Sequence, residues 1–279
     1  MGIFITGDIH GDPTRLSNHN FEIQKDFEPN SQEKNYIIIS GDFGLIWDYK
    51  GENKNEKYWL DWLEKRNFTT LFIDGNHECF PRLDALPVEK WNGGKVSFVR
   101  PHVLHLKRGQ VFELEGKKIF TFGGASSHDI KNGVLEPDDP RIKEWKKDCF
   151  RQFRINGQSW WERELPSKEE MEEGIQNLAR HNNHVDYVIT HCPYSSLLIQ
   201  MGSGLYHADY LTDYLQNIKQ SVDFECWYFG HMHVDKPYYW EKAICLYDKI
   251  EQISYGCDKQ YDGKQYDYDN NNRSYESEV

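Results

Sequence analysis

The chain of 279 residues carries a formal net charge of -12 at pH 7, with 38% hydrophobic and 15% aromatic residues. This length can bury a core as one domain or at most two small ones, and this composition excludes a disordered or fibrous chain. The negative charge argues against a large surface for duplex nucleic acid, but it leaves room for a small anion site neutralised by local cations or metals.

Short apolar runs alternate with longer amphipathic stretches along the chain, a pattern typical of α/β proteins. Apolar and polar residues do not alternate cleanly within these runs, which is typical of strands buried on both faces. The predicted strands cover residues 3–6, 36–40, 70–74, 187–190 and 226–229. Helices are predicted over 56–66 and over 168–181, where Ser167 is the predicted N-cap and Glu170 lies three residues on.

The middle and the end of the chain have a different character. Two β-rich runs flank Glu115 and Gly116, which predicts a hairpin and antiparallel pairing in the middle of the chain. Residues 128–168 are charged, rich in tryptophan and poor in periodicity. We expect them to form a cap-like insertion in a single domain that spans 1–257. Residues 258–279 are polar and of low complexity, which predicts a flexible tail.

Six cysteines are scattered along the chain without a C-x-x-C pair. This pattern predicts reduced thiols rather than a disulfide framework or a zinc knuckle. The longest apolar run, 36–39, is too short to span a bilayer, and no charged-then-apolar leader precedes it. We therefore expect a cytoplasmic protein that does not engage a membrane.

Each of the five predicted strands is followed by side chains that can bind a metal. In open α/β sheets the carboxyl edge is where ligands bind. Residues i and i+2 of an extended segment point to the same side, so two such residues can reach one centre together. Neighbouring glycines let the backbone turn sharply and approach a metal closely. The candidate metal ligands are Asp8, His10, Asp42, Asn76, His191, His231 and His233.

Carboxylate, imidazole and amide oxygen together suit divalent metals such as zinc, manganese or iron, and the absence of cysteine from the set argues against a structural zinc site. Seven ligands are too many for one ion, whereas two ions that share one bridging carboxylate would use them all. The residues around His191 form little of a recognisable motif, and His181 and His184 are the alternative candidates for this metal ligand.

The motifs Asp-x-His, Gly-Asp, Gly-Asn-His-Glu, a lone His and Gly-His-x-His occur in this order between residues 7 and 233. In this respect the chain resembles the calcineurin-like metallophosphoesterases, which have five such signature motifs. The resemblance implies a four-layer α/β/β/α sandwich of two mixed sheets flanked by helices. It implies a first metal held by Asp8, His10, Asp42 and His233, and a second held by Asp42, Asn76, His191 and His231.

The activity that the resemblance implies is metal-dependent hydrolysis of phosphomonoesters or phosphodiesters, with two divalent ions such as Mn, Zn, Fe or Ni. A hydroxide held between the ions would attack phosphorus, because metals depress the pKa of water from about 16 to near 7. His77 would be the catalytic residue and would donate to the departing oxygen. The substrate would be a small molecule or a nucleotide. The alternatives are a nuclease or nucleotide phosphodiesterase, and a non-catalytic metal-binding scaffold.

The second motif departs from that of the protein Ser/Thr phosphatases, which carry Gly-Asp-x-x-Asp-Arg-Gly. Leu45 stands where those enzymes have the Asp that orients the catalytic His, and Ile46 stands where they have a phosphate-binding Arg. We therefore expect a bacterial- or phage-type member of the family. Asp48 and Asp74 are the candidate partners of His77. The candidates for the missing phosphate contact are Arg82, Arg151 and Arg154.

Three further features have two interpretations each. Glu78 either orients a neighbouring ligand or faces solvent. His128 and Asp129 either line the pocket or form a surface turn. The aromatic cluster of residues 153, 160 and 161 either stacks on a nucleobase or plugs the insertion, and we favour the plug.

Overall fold

The structure is a computed structural model and describes residues 2–26, 35–203, 206–253 and 257. In chain order the strands are β1 (Gly2–Thr6), β2 (Asn35–Ile39), β3 (Thr69–Phe72), β4 (Glu89–Trp91), β5 (Gly94–Arg100), β6 (Val103–Leu106), β7 (Gln110–Leu114), β8 (Lys117–Phe122), β9 (Val134–Leu135), β10 (Arg154–Ile155), β11 (Tyr187–Thr190), β12 (Cys226–Phe229), β13 (Lys236–Tyr238), β14 (Ala243–Cys245) and β15 (Ile250–Gln252). The α-helices are α1 (Lys54–Glu64), α2 (Phe80–Asp84), α3 (Ile142–Trp145), α4 (Lys168–Arg180), α5 (Ser195–Gly202) and α6 (Tyr210–Ser221). Short 3₁₀-helices cover Pro13–Leu16, Glu22–Asp26, Glu162–Glu164 and Tyr239–Glu241.

The described strands form two large mixed sheets, apart from β9 and β10, which pair parallel with each other as a separate small sheet. The first has the order β15-β1-β2-β3-β6-β5-β4, with β1, β2, β3 and β6 parallel to one another. The second has the order β13-β14-β12-β11-β8-β7, with β8, β11, β12 and β14 parallel. The outer strands β15, β5, β4, β13 and β7 pair antiparallel with their neighbours. The predicted α/β fold with two mixed sheets is confirmed.

Alternation along each strand divides its side chains between two cores, because successive residues point to opposite faces. In β1, Ile3 and Ile5 pack between the two sheets with Ile189 of β11. Phe4 points the other way and packs with Leu60 of α1 on the outer face of the first sheet. The outer face of the second sheet packs against α4, α5 and α6. The layers are therefore helix, sheet, sheet and helix.

The predicted helices are present with shifted or sharper ends. The first begins at Lys54 because the Asn53 side chain accepts hydrogen bonds from the backbone N–H groups of Asn55 and Glu56, at 3.0 Å each. The second has the predicted capping box. Ser167 Oγ accepts from the Glu170 N–H at 3.2 Å, and the Glu170 carboxylate accepts from the Ser167 N–H at 2.9 Å. These local signals fix both N-termini.

The predicted hairpin is confirmed as β7 and β8, which pair antiparallel around Glu115 and Gly116. Antiparallel pairing also joins β4 to β5 and β5 to β6 in the middle of the chain, whereas β8 pairs parallel with β11 on its other side. Residues 128–168 contain the short elements β9, α3 and β10 and one 3₁₀-helix. The division into one domain over 1–257 with an insertion stays a prediction.

The prediction of reduced thiols is wrong at two cysteines. Cys226 at the start of β12 and Cys257 form a disulfide, with their Cα atoms 5.5 Å apart. The two residues are separated by 31 positions, so no short spacing marks the pair in the sequence. The predicted tail over 258–279 lies outside the described residues. Within the described ranges no helix has both the length and the apolar character to cross a membrane.

Candidate metal centre

The loops that follow five parallel strands meet at one edge of the molecule. β1, β2 and β3 of the first sheet lead into Asp8, Asp42 and Asn76, and β11 and β12 of the second lead into His191 and His231. Parallel strands end at the same edge of a sheet, and this carboxyl edge is where α/β proteins bind ligands. The structure therefore brings the seven predicted ligands into one region shared by both sheets.

Four of these ligands have a left-handed backbone. The φ angle is 44° at His10, 44° at Asp42, 65° at His231 and 50° at His233. This conformation is uncommon for residues other than glycine and concentrates at functional sites. Hydrogen bonds hold it in place. The His10 N–H donates to Asp42 O at 2.9 Å, and the His231 N–H donates to Asp8 Oδ1 at 3.0 Å.

Asp8, His10 and His233 form a first cluster. His233 Nε2 lies 3.2 Å from Asp8 Oδ2 and 3.0 Å from His10 Nε2. His10 Nδ1 is 3.8 Å from Asp42 Oδ2. The Asp8 side chain is fully buried, whereas 31% of the His10 side chain and 45% of the His233 side chain are exposed. This cluster is open to solvent on its imidazole side.

Asp42, Asn76, His191 and His231 form a second cluster. His191 Nδ1–H donates to Ser40 O at 2.8 Å, so His191 Nε2 faces Asp42 Oδ1 and Asn76 Oδ1, each 3.3 Å away. When His191 is neutral, its Nε2 lone pair faces these two acceptor oxygens. A divalent cation fits such a set of nitrogen and oxygen acceptors, and a backbone carbonyl commonly fixes a metal-binding histidine in this way.

Burial and neighbouring charges set the protonation of the second cluster. Burial opposes ionisation of Asp42, but His191 and then His77 outweigh it and hold the pKa of Asp42 well below its ordinary value. Burial also opposes protonation of His191, yet Asp42 and Asp8 raise its pKa to about 9. Burial lowers the pKa of His231 well below its ordinary value. Cations bind ionised carboxylates and neutral imidazoles, so His231 is ready to bind, whereas a cation that binds His191 would have to displace the proton that the raised pKa retains.

His77 lies beside both clusters. Its backbone N–H donates to Asp42 Oδ1 at 2.8 Å, and its ring stacks on Trp47 with centroids 5.5 Å apart. The ring meets His10 edge-on at 5.0 Å, and Arg154 Nη2 lies 3.4 Å from His77 Nε2. Burial lowers the pKa of His77, with Asp42 opposing and Arg154 adding to the shift.

The two candidate partners of His77 accept hydrogen bonds from other groups in the structure. Asp48 accepts a hydrogen bond from the backbone N–H two residues on, at 2.9 Å. Asp74 is buried and accepts from Arg108 Nε at 2.8 Å. Asp74 lies before the turn that carries His77, and its ion pair with Arg108 keeps the Asp74 carboxylate in the interior. Arg154 of the insertion is the polar side chain found beside the imidazole instead.

The three arginines predicted as phosphate contacts have different surroundings. Arg154 pairs with Asp129 and reaches the centre. Arg82 is paired with buried Glu56 through two hydrogen bonds of 2.8 Å and 2.5 Å. Arg151 pairs with an aspartate three residues before it in the insertion. The structure thus brings Arg154 to His77 and places the other two in structural ion pairs.

Ser127 is a residue of the site that the sequence did not indicate. Asn76 Nδ2 donates to Ser127 Oγ at 3.3 Å, and Ser127 Oγ donates to Glu164 Oε2 at 2.6 Å. The Ser127 N–H donates to Glu164 Oε1 at 2.9 Å. These bonds turn the amide oxygen of Asn76 toward His191. Glu164 comes from the part of the chain without periodicity, so no local pattern predicts its approach.

Burial decides two interpretations that the sequence left open. Glu78 is fully buried and accepts from the Phe43 N–H at 2.8 Å, so the solvent-facing interpretation is wrong. It supports the loop that carries Asp42, and burial raises the pKa of Glu78 well above its ordinary value. Trp161 is buried against Phe80, which supports the interpretation as a hydrophobic plug.

Two cavities lie near the centre: one is lined by His231 and His233, and the other, within residues 129–159, is connected to it through Arg154. The larger has a volume of about 690 Å³ and is lined by Ser126, Ser127, His128, Lys131, Gln152, Cys192, Leu198, Tyr206, His207, Asp209, Thr212, His231, Met232 and His233. The smaller has a volume of about 380 Å³ and is lined by Asp129, Lys146, Arg151, Gln152, Phe153, Arg154, Ile155 and Ser159. His128 and Asp129 thus line pockets. Gln152 lines both cavities.

Comparison with known proteins gives a family match and three likenesses. The sequence pattern of the calcineurin-like phosphoesterase family matches residues 1–235. A lariat debranching enzyme from Schizosaccharomyces pombe is 30% identical over 112 residues, which is 36% of this chain and 23% of that enzyme. The match therefore spans less than a quarter of the relative's length.

Two solved structures are similar in outline. One is a phosphopantetheinyl hydrolase from Mycobacterium tuberculosis, with a TM-score of 0.39 and 15% identity over 90% of this chain and 95% of that one. The other, described as a 5′-nucleotidase from Staphylococcus aureus, has a TM-score of 0.40 and 14% identity over 88% of this chain and 48% of that one. The family match covers most of the chain. We conclude that the chain belongs to the calcineurin-like phosphoesterase family of metal-dependent hydrolases.

Proposed function

We propose that the protein hydrolyses phosphate esters with two divalent metal ions that share Asp42. The observation that carries this proposal is the direction of the two Asp42 oxygens. Oδ2 lies 3.8 Å from His10 Nδ1 in the first cluster, and Oδ1 lies 3.3 Å from His191 Nε2 in the second. A bridging carboxylate requires this arrangement. The first ion would be held by Asp8, His10, Asp42 and His233, and the second by Asp42, Asn76, His191 and His231.

Divalent ions at this centre would lower the pKa of water to near 7 and neutralise phosphoryl oxygens. The protein's own groups complete the site. An anionic oxygen placed between His77 and Arg154 would accept hydrogen bonds from both side chains, which now lie 3.4 Å apart. Trp47 covers one face of the His77 ring and keeps the imidazole in position. His77 is thus the proposed donor to the departing oxygen.

The size and charge of the surroundings support a small phosphate ester or a nucleotide as the substrate. The cavity of about 690 Å³ beside His231 and His233 lies within the range of small-molecule sites. The formal net charge of -12 disfavours a long duplex nucleic acid. A nucleotide phosphodiesterase is compatible with both observations, whereas a nuclease that grips duplex DNA is not favoured.

A metal-binding scaffold without activity is the alternative of a different class. A scaffold requires ligands but requires neither an acid nor an anion-binding group beside them. Here His77 and Arg154 lie together at the edge of the centre, and Asp129 holds the guanidinium in place. This pairing supports catalysis over a scaffold role.

The test is hydrolysis of p-nitrophenyl phosphate and bis-p-nitrophenyl phosphate by metal-stripped protein, with Mn²⁺, Zn²⁺, Fe²⁺ or Ni²⁺ restored one at a time. We expect metal-dependent turnover that Asp42→Asn abolishes, since both clusters lose their shared charge. His77→Ala is expected to keep the metal content and to lower kcat by about 100-fold, the usual contribution of a positioned acid.

Metal content by elemental analysis separates the outcomes. Two ions per chain with no turnover of either ester would overturn the hydrolase and leave the scaffold. One ion per chain with full turnover would overturn the bridging role of Asp42.

A further inference from the structure

We propose that the substrate is a phosphodiester, with its non-leaving substituent in the larger cavity and its leaving group toward His77 and Arg154. This inference rests on the proposed function and adds the substrate class to it. The reaction consumes one water. Its oxygen bonds to phosphorus, the bond from phosphorus to the leaving oxygen breaks, and that oxygen receives a proton. The products are an alcohol and a phosphomonoester.

The larger cavity has the size and lining for an organic group. Its volume of about 690 Å³ is ample for a nucleoside-sized substituent. Leu198, Tyr206 and Met232 provide an apolar surface, and Lys131 and Gln152 provide polar groups. Two proposed metal ligands of the Gly-His-x-His motif form one end of the cavity. A substituent on a phosphorus at the centre can therefore extend directly into it.

The leaving group has a separate route. The smaller cavity, of about 380 Å³, is lined by Arg154, and Arg154 contacts His77. His128 lines the larger cavity and Asp129 the smaller, so the chain at this point separates the two. A phosphodiester has two substituents on phosphorus and uses both cavities, whereas a phosphomonoester has one and leaves a cavity without a role.

The charge at the centre also matches a diester. A monoester dianion needs one more positive group than a diester monoanion. Ile46 stands at the position of the phosphatase arginine and is buried. Arg82 is neutralised by Glu56, and Arg154 is already paired with Asp129. Beyond the metals, the described side chains next to His77 therefore supply one arginine, Arg154, whose charge is shared with Asp129.

The test compares two esters with one leaving group, thymidine 5′-(p-nitrophenyl phosphate) and p-nitrophenyl phosphate, on Mn²⁺-restored protein. We expect kcat/KM to favour the diester by about tenfold or more. Tyr206→Ala is expected to lower the diester-to-monoester ratio by about fivefold, because an aromatic surface for the thymine is removed. Lys131→Ala is a second variant of the same cavity. Tyr58→Ala removes an exposed tyrosine of α1 that does not line the cavity and is expected to leave the ratio unchanged.

Binding of thymidine 5′-monophosphate to the metal-free protein, measured by calorimetry, gives a readout without turnover. We expect Tyr206→Ala to weaken it and Tyr58→Ala to leave it unchanged. Failure to hydrolyse either ester would overturn the proposed function itself. Preference for the monoester would overturn the inference and leave the hydrolase intact. Preference for the diester with no effect of Tyr206→Ala or Lys131→Ala on the ratio would overturn the assignment of the larger cavity.

Discussion

Ser127 determines which end of the Asn76 amide faces the centre. The hydroxyl accepts from Asn76 Nδ2 because its own proton is donated to Glu164. We expect Ser127→Ala to lower the affinity for one metal ion by about tenfold, as the loss of such outer partners commonly does. Equilibrium dialysis with elemental analysis measures this affinity. The control is Ser97→Ala, which removes a fully buried hydroxyl in β5.

An unchanged metal affinity in Ser127→Ala would show that Asn76 is held by other contacts. Glu164→Gln gives an independent check, since it retains the size of the side chain and weakens the acceptor of both Ser127 bonds. Both variants should lower the metal affinity in the same direction.

Arg154 is expected to act on the substrate rather than on the metals. Arg154→Ala should lower kcat/KM by about 100-fold, because one charged donor to the phosphoryl group is lost. The metal content should stay the same, since the guanidinium contacts His77 and Asp129. Steady-state kinetics with metal analysis test both parts. Arg141→Ala, which removes an exposed arginine of the same insertion, is the control.

A smaller loss in Arg154→Ala than in Arg82→Ala would contradict this assignment. Arg82 forms a buried pair with Glu56, so its removal is expected to lower stability and to have little direct effect on the rate. Thermal unfolding of both variants separates the two effects.

The strand ends show why these loops carry glycine. A Cβ added at Gly75 would run into the Asp42 carboxylate and would lie 2.7 Å from His191 Nε2. We therefore expect Gly75→Ala to displace both ligands and to reduce metal binding by more than about tenfold. Metal analysis beside circular dichroism distinguishes this from unfolding.

Gly51→Ala is the control for an alanine substitution in a loop. Gly51 has a φ of 125° and open space around its Cβ position, so a substitution there strains the backbone without touching a ligand. Equal loss of metal in the two variants would mean that the loss does not arise from the contact of the new Cβ with Asp42.

Much of the element pattern could be predicted from local sequence. The apolar runs of β1, β2, β3, β11 and β12 and the capping box of α4 are local signals, and all are present. The side chains after each strand could be predicted to meet because parallel strands share an edge. Their roles as ligands stay predictions. Arg154 and Glu164 could not be placed, because residues 128–168 have no periodicity and reach the centre through tertiary contacts alone.

At the scale of the whole molecule, a buried ion pair joins the end of β3 in the first sheet to the segment that leads into β7 of the second sheet. Asp74 follows β3 and accepts from Arg108 Nε at 2.8 Å and from His105 at 3.1 Å. Arg108 Nη2 also donates to Glu164 O at 3.2 Å in the insertion. Asp74 and Arg108 are 2% and 4% exposed, so neither charge has water as an alternative partner.

Asp74→Asn is expected to lower the free energy of unfolding at pH 7 by about 3 kcal/mol, because buried Arg108 loses its closer counterion and keeps only Glu170, at 3.5 Å. Burial opposes ionisation of Asp74, but Arg108 and His105 outweigh it and lower its pKa. A carboxyl group whose pKa is lowered in the folded protein stabilises the fold at pH values above its ordinary pKa of about 4. This stabilisation decreases as the pH falls below about 4 toward the lowered pKa. The difference between wild type and Asp74→Asn should therefore shrink in acid.

Urea unfolding of metal-free protein at pH 7 and at about pH 3 measures this difference. Asp61→Asn is the control, since Asp61 pairs with Lys57 at the surface and should matter little at either pH. A difference that stays the same in acid would show that packing, and not the Asp74 charge, is what the substitution removes.

The bond from Glu164 through Ser127 to Asn76 has a consequence for the lifetime of the protein. An insertion that orients a metal ligand is energetically coupled to the ion, and such coupling is reciprocal. An ion bound by Asn76 would therefore stabilise residues 128–168 to the same extent that these residues favour its binding. We expect proteases to cut residues 128–168 faster in metal-free protein, so that metal supply would govern how long a chain survives.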